Sequence, residues 1–223
     1  MMIKDGFVTA QSDGFSVDVR GKGGHGARPH EAVDAIVIAS AFIDTAQTLV
    51  SRRVDPLHPS VVTIGKVEAG SAPNVIAERA HLEGTVRTTL TSIRDKIHRG
   101  LRGTAKALAE SHDAIVDIDI EEGYPPVENA PEPTGWARRI AEDVLGEAQV
   151  RESEHPSMGA EDFAYFLGRM PGAYIRLGAR PADGEYLPLH SPSFTIDEKA
   201  LEVGTGYLDR LARGAIARLG RDS

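Results

Sequence analysis

No cysteine occurs among the 223 residues, so the chain carries no disulfide, no thiolate metal ligand and no thiol nucleophile. That composition suits a cytoplasmic setting. Long apolar runs are also missing, and nothing approaches the roughly 18 apolar residues of a membrane span. The first residues, MMIKDGFVTAQSDG, lack the apolar core and small-residue cleavage site of a secretory signal. Positive charge is in deficit. The formal net charge is −8, the cations are scattered, and no basic aromatic strip appears, which argues against general nucleic-acid binding. There is no His-Glu-x-x-His pair, zinc-finger spacing, P-loop or Gly-x-Ser-x-Gly elbow. No solenoid-period repeat or low-complexity tract is present. What is there, 41% hydrophobic and 26% charged residues, is ordinary globular composition. The length allows one large or two ordinary domains.

The stretch around which the chain is organised is Gly21–His30, GKGGHGARPH. Phe15, Val17 and Val19 alternate with Ser16, Asp18 and Arg20 ahead of it, which predicts a half-buried strand. A helical pattern leaves it near Glu31 and ends near Arg52–Arg53. Glycines at this density permit positive φ and close backbone approach, so His25 can be held out on a corner. Two readings stand side by side: a functional histidine on a braced loop, or a glycine-rich βα connection with an incidental histidine.

Beyond Asp55-Pro56 and His58-Pro59, Val61–Val67 reads as a strand, Ser71–Asn74 as a turn and Val75–Thr88 as a strand region. Leu82, Gly84 and Val86 fall on one face; His81, Glu83, Thr85 and Arg87 fall on the other. Thr91 is placed to cap a helix striped by Ile93, Ile97, Leu101, Ala105 and Leu108. Val116, Ile118 and Ile120 then alternate with Asp117 and Asp119. The order βαββαβ predicts a ferredoxin-like domain over residues 14–124, two helices covering one sheet face and the other polar face, with Arg87, left free.

The proline-rich stretch after Tyr124 marks a boundary. From 125 to 223 the pattern predicts a helix at Thr134–Leu145, a strand at Gln149–Glu154, a short helix at Gly159–Leu167, a buried strand at Ala173–Gly178 and a terminal helix at Asp197–Leu219, with Leu201, Leu208, Leu211, Ala215 and Leu219 as its stripe. So few strands make an incomplete α/β layer, and this portion reads as part of something larger. His58, His81, His98 and His112 read as surface residues. Three places could carry chemistry: the His25 corner, the Pro156–Phe163 segment, and a lone His190 between Pro188 and Pro192. One histidine does not make a metal site.

Taken together, GKGGHGARPH (21–30), SAPNVI (71–76), EGTVR (83–87), GYPP (123–126), SMGAEDFAYF (157–166) and LHSPSF (189–194) resemble the metal-dependent aminoacylase, carboxypeptidase and N-acyl-amino-acid amidohydrolase family, in particular its hippurate-hydrolase-like branch. The resemblance implies an α/β (α+β) fold in which a ferredoxin-like lid and dimerisation domain (14–124) precedes the C-terminal part of a catalytic domain (125–223). It implies that His25 reaches a neighbouring subunit's site and stabilises the oxyanion, that Asn74 and Arg87 hold the substrate carboxylate, and that His190 is a metal ligand. Glu161 and Asp162 match a signature to which no role is attached. The implied cofactors are two divalent ions, zinc or manganese, in a site incomplete here. The implied partners are a small N-acyl-amino acid and a second copy of the chain, with no nucleic acid and no membrane. The family's His-x-Cys-Gly-His-Asp loop, general-base glutamate pair and further ligand histidine have no counterpart here, which leads to the expectation of an amidohydrolase fragment inactive alone. The alternatives are a non-catalytic dimerisation or acyl-amino-acid-binding module, and a truncated reading frame with no function.

Overall fold

The computed structural model describes residues 1–182 and 187–219. In chain order the elements are β1 (Gly6–Phe7), β2 (Gln11–Arg20), β3 (Gly24–His25), α1 (Ala35–Arg53), β4 (Ser60–Ala69), β5 (Val75–Ile76), β6 (Arg79–Thr88), α2 (Thr91–His112), β7 (Ile115–Glu121), β8 (Glu128–Asn129), α3 (Pro131–Leu145), α4 (Ala164–Leu167) and α5 (Lys199–Leu219). They fall into two compact units. One comprises Thr9–Pro126 together with Ser157–Tyr165. The other comprises Met1–Val8, Val127–Pro156 and the residues from Phe166 onward.

In the first unit β4, β6, β2 and β7 form one antiparallel sheet in that order. This is the split βαβ arrangement that the hydrophobic periods predict. Phe15, Val17 and Val19 of β2 and Leu82 and Val86 of β6 bury against Ile38, Phe42 and Leu49 of α1 and Ile93, Ile97 and Leu101 of α2. The sheet's alternation and the helices' period thus meet in a single core. β2 begins at Gln11, earlier than its apolar alternation shows, because Gln11 and Asp13 continue the inward face as buried polar residues. The helix expected from near Glu31 starts at Ala35. Pro29–Glu31 is a 3-10 turn, and the Asp34 carboxylate accepts from the Ile36 N–H at 2.9 Å as the true cap. Thr91 does not cap α2. It is the first helical residue, after Leu90, which makes no side-chain cap bond.

Gly84 shows why the inward face of β6 interrupts its apolar series. A Cβ there would lie 2.3 Å from the Phe15 ring and 2.4 Å from the Thr63 carbonyl oxygen. The Phe15 ring fills the place a side chain would take. Gly84→Ala is expected to cost about 1–3 kcal/mol through overpacking, read as a lower urea midpoint by far-UV circular dichroism. An unchanged midpoint would refute this account of the packing.

In the second unit α3 and α5 pack around Ile3, Ala141 and Tyr207, and the Tyr207 hydroxyl donates to the Ala137 carbonyl at 3.3 Å. Asn129 holds the short β1–β8 ladder beside the 174 segment: its Nδ2 donates to the Lys4 and Tyr174 carbonyls, and its Oδ1 accepts from the Tyr174 N–H. The strands expected at Gln149–Glu154 and Ala173–Gly178 are reduced to single bridges, from Arg151 and Arg176 to Met2. Met2 is one residue flanked on both sides, too little to extend either into a ladder. The helix expected over Gly159–Leu167 shrinks to Ala164–Leu167. Leu201 and Leu208, expected to be packed, are exposed. No helix among the described residues is long and apolar enough to cross a membrane.

Candidate functional site

His25 sits in a two-residue ladder. Gly24 pairs with Ile76 and His25 with Val75, and the Gly26 N–H donates to the Asn74 carbonyl at 2.8 Å. None of Gly21, Gly23, Gly24 or Gly26 has positive φ, and three of them serve close approach instead. A Cβ on Gly21 would lie 2.2 Å from the Val33 carbonyl oxygen, one on Gly24 2.8 Å from the Ala32 Cβ, and one on Gly26 3.0 Å from the Asn74 carbonyl oxygen. The Ala27 N–H donates to His25 Nδ1 at 3.0 Å. In the neutral ring this leaves the proton on Nε2, which makes His25 an outward N–H donor on an exposed corner.

Asn74 is exposed beside it, its backbone carbonyl taken by Gly26. Arg87 lies elsewhere. The β2–β6 ladder runs from Ser12 opposite Arg87 to Arg20 opposite Arg79. It continues through the Gly21 N–H to Glu78 carbonyl bond into the β3–β5 pair. His25 and Asn74 are therefore beyond the Arg79 end. Arg87 is eight residues farther along β6 than Arg79, about 26 Å at the usual strand rise. One protomer brings His25 and Asn74 together and holds Arg87 apart from both.

The polar sheet face is not free at Arg87. Its guanidinium is half-buried, and Nη1 donates to the Met158 carbonyl at 2.8 Å. Farther along this face His81 lies between two carboxylates, Nδ1 at 2.9 Å from Asp18 and Nε2 at 3.2 Å from Glu83. Hydrogen bonds to Asp18 first and Glu83 second hold its pKa above the usual histidine value.

His190 belongs to the other unit, in an exposed loop with a left-handed backbone at φ 72°. Among the described residues no three His, Asp or Glu side chains converge in a way that could hold a metal ion. A lone histidine does not fit a dinuclear centre. Glu161 and Asp162 supply carbonyls that accept from Ala164 and Tyr165 N–H groups in the turn entering α4.

The sequence pattern puts His98 on the surface, and the structure corrects this. His98 is buried, and its Nε2 lies 2.8 Å from Asp13, whose carboxylate also accepts from Arg94 Nε at 2.7 Å, Arg94 Nη2 at 2.5 Å and the Gly123 N–H at 3.0 Å. The available signal is Arg94 and His98, four residues apart on one side of α2. Their acceptor lies 81 and 85 residues away and has no local mark.

Residues 9–113 match the peptidase dimerisation domain of the M20 family. The chain is 40% identical over 184 residues to an N-acetyldiaminopimelate deacetylase of Lactococcus lactis subsp. cremoris, covering 82% of this chain and 47% of that protein. It is 35% identical over 211 residues to an N-acetyl-L-cysteine deacetylase of Bacillus subtilis, covering 95% and 49%. A crystal structure of a dinuclear metal binding peptidase of the M20 family from Bacillus subtilis superposes with a TM-score of 0.70 at 27% identity, over 95% of this chain and 51% of that one. The chain spans about half the length of the curated relatives it matches. Its residues 9–113 are an M20 peptidase dimerisation domain, and the relatives it matches over most of its length are amidohydrolases and deacetylases.

Proposed function

We propose that this chain is the dimerising, substrate-gripping portion of a cytoplasmic homodimeric hydrolase of N-acyl-amino acids, hippurate-like compounds among them. The observation that carries the reading is the span of the β6 ladder, with His25 and Asn74 at one end and Arg87 at the other. A single small substrate cannot reach both ends of one protomer. Two copies related by a two-fold axis can place the His25–Asn74 corner of one opposite the Arg87 of the other. The surface supports pairing: β4 is an edge strand with Val61 and Val67 exposed, and Ile36 and Val37 of α1 are exposed. A Cβ on Gly70, just past β4, would touch Ile36, so the Val67 end of the edge strand lies beside the exposed start of α1, while Val61 is exposed at the other end beside Arg87.

In this reading Arg87 forks onto the substrate carboxylate and Asn74 of the other copy adds an amide donor. The His25 Nε2–H points at the oxygen on which charge develops as the amide carbon becomes tetrahedral. About half of each relative's length lies outside the match, and we assign the metal ligands and the general base to that remainder. Zinc or manganese would there supply the attacking water, and His190 would add one ligand. The chain by itself is expected to show no turnover.

The test is a titration of the isotopically labelled chain with N-acetylglycine and with N-acetylglycinamide, followed through the Arg87 Nε–H resonance. The carboxylate ligand should shift it and the amide should not, and in Arg87→Ala, which lacks this resonance, the two ligands should bind with equal affinity. Equal responses would refute the carboxylate-gripping role. The rival reading, a dimer that binds without hydrolysing, is favoured by the lack, among the described residues, of further metal-type side chains gathered with His190. Acetate release from N-acetylglycine by the chain assembled with the unmatched part of a relative, in zinc or manganese, would exclude it.

A further inference from the structure

We propose that the Ser157–Tyr165 segment is the positioning element of Arg87, its Met158 carbonyl holding one guanidinium nitrogen so that the opposite edge of the fork faces the ligand carboxylate. This rests on the carboxylate-gripping role proposed above for Arg87.

A guanidinium has five N–H donors in a fixed plane, and binding one corner to a fixed acceptor sets where the remaining donors point. Arg87 Nη1 donates to Met158 at 2.8 Å. Its Nε and Nη2, which form the side-on edge suited to a carboxylate, make no bond among the described residues. The donor edge is half-buried, pointed by one bond and unused.

The acceptor is itself fixed to the dimerisation domain. The Ala10 N–H donates to the Ser157 carbonyl at 2.9 Å, and Thr9 bridges Ser157 in parallel. At the far end Tyr165 meets the Tyr124 ring edge-on, centroids 5.9 Å apart and planes at 82°. Tyr124 is tied in turn, its carbonyl accepting from the Ser12 N–H at 3.1 Å. Ser12 is the cross-strand partner of Arg87. Carbonyl and guanidinium are thus both referred to the start of β2. The turn made by Glu161 and Asp162 carries the chain from Met158 to Tyr165, which gives that motif a mechanical part.

The test acts on the carbonyl alone. Replacing Gly159 by glycolic acid turns the Met158 carbonyl into an ester carbonyl, a weaker acceptor. It alters no side chain, and the Gly159 N–H it removes makes no bond among the described residues. The readout is the ratio of affinities for N-acetylglycine and N-acetylglycinamide in the full chain. The ratio is expected to fall about fivefold, the worth of one ordinary hydrogen bond, with the amide ligand unaffected. Tyr165→Ala, which removes a ring already about half exposed, should lower the ratio in the same direction. An unchanged ratio in both variants overturns the proposal. So does an equal fall in the Arg87→Ala background, because the segment would then act on something else. If Arg87→Ala itself leaves the ratio intact, the carboxylate-gripping reading fails first.

Discussion

Replacing Asp13 by alanine is expected to remove about 3–5 kcal/mol from the stability of the dimerisation domain, the usual cost of breaking a buried, hydrogen-bonded charge network by deleting one partner. The Asp13 side chain is fully buried, and those of Arg94 and His98 are 11% and 6% exposed. Without the carboxylate, the guanidinium, the imidazole and the Gly123 N–H all lose their acceptor. Burial alone would raise the Asp13 pKa. The Arg94 hydrogen bonds, with help from Gly123 and the charges of Arg94 and His98, outweigh it and hold the group below the usual carboxylate range. A lowered folded pKa means that this stabilisation is present above the unfolded carboxylate pKa and is lost as pH falls through the folded one. Asp13→Ala should therefore flatten the acid side of the stability profile as well as lower its plateau. Urea unfolding followed by far-UV circular dichroism reads the effect. The single tryptophan, Trp136, lies in the other unit, so its fluorescence provides a separate transition that should move little. A loss below about 1 kcal/mol would mean that the network is solvated and not a true buried charge cluster.

The second large effect concerns the composite site. In the assembled hydrolase, His25→Ala should lower kcat by about 10²–10³-fold, the scale of losing one oxyanion donor. Arg87→Ala should raise KM for carboxylate substrates. Neither variant alone retains a complete site if the groups come from two copies. Mixed in equal amounts and allowed to exchange, they should recover about a quarter of the parent activity, because half the dimers then carry one intact site of two. Recovery requires that His25 and Arg87 act from different protomers. Activity of the mixture equal to the average of the separate variants would show that one protomer supplies both, and the pairing scheme would fall.

The ferredoxin-like sheet was legible because Phe15, Val17, Val19 and the α2 stripe obey simple periods. The His25 corner was legible because glycine crowding is a local mark. Three things were not. Asp13 and Gln11 occupy inward positions as polar residues, so alternation conceals the true start of β2. His98 shares α2 with an apolar stripe, and its burial follows from a carboxylate far away in sequence. The face over Arg87 looked free because nothing in EGTVR announces that Met158, 71 residues on, returns to lie against it. The second unit was less legible. Its expected strands are single bridges to Met2, and ladder formation depends on neighbours that local sequence does not encode.

The nine residues from Ser157 to Tyr165 belong by packing to a domain they do not belong to by sequence. A gene fusion or recombination event that moved 9–126 as one block would leave behind the carbonyl against which Arg87 rests. The domain is therefore no freely exchangeable cassette. Grafting it into another host should succeed only where the host carries a compatible segment, and the two pieces should change together over evolutionary time.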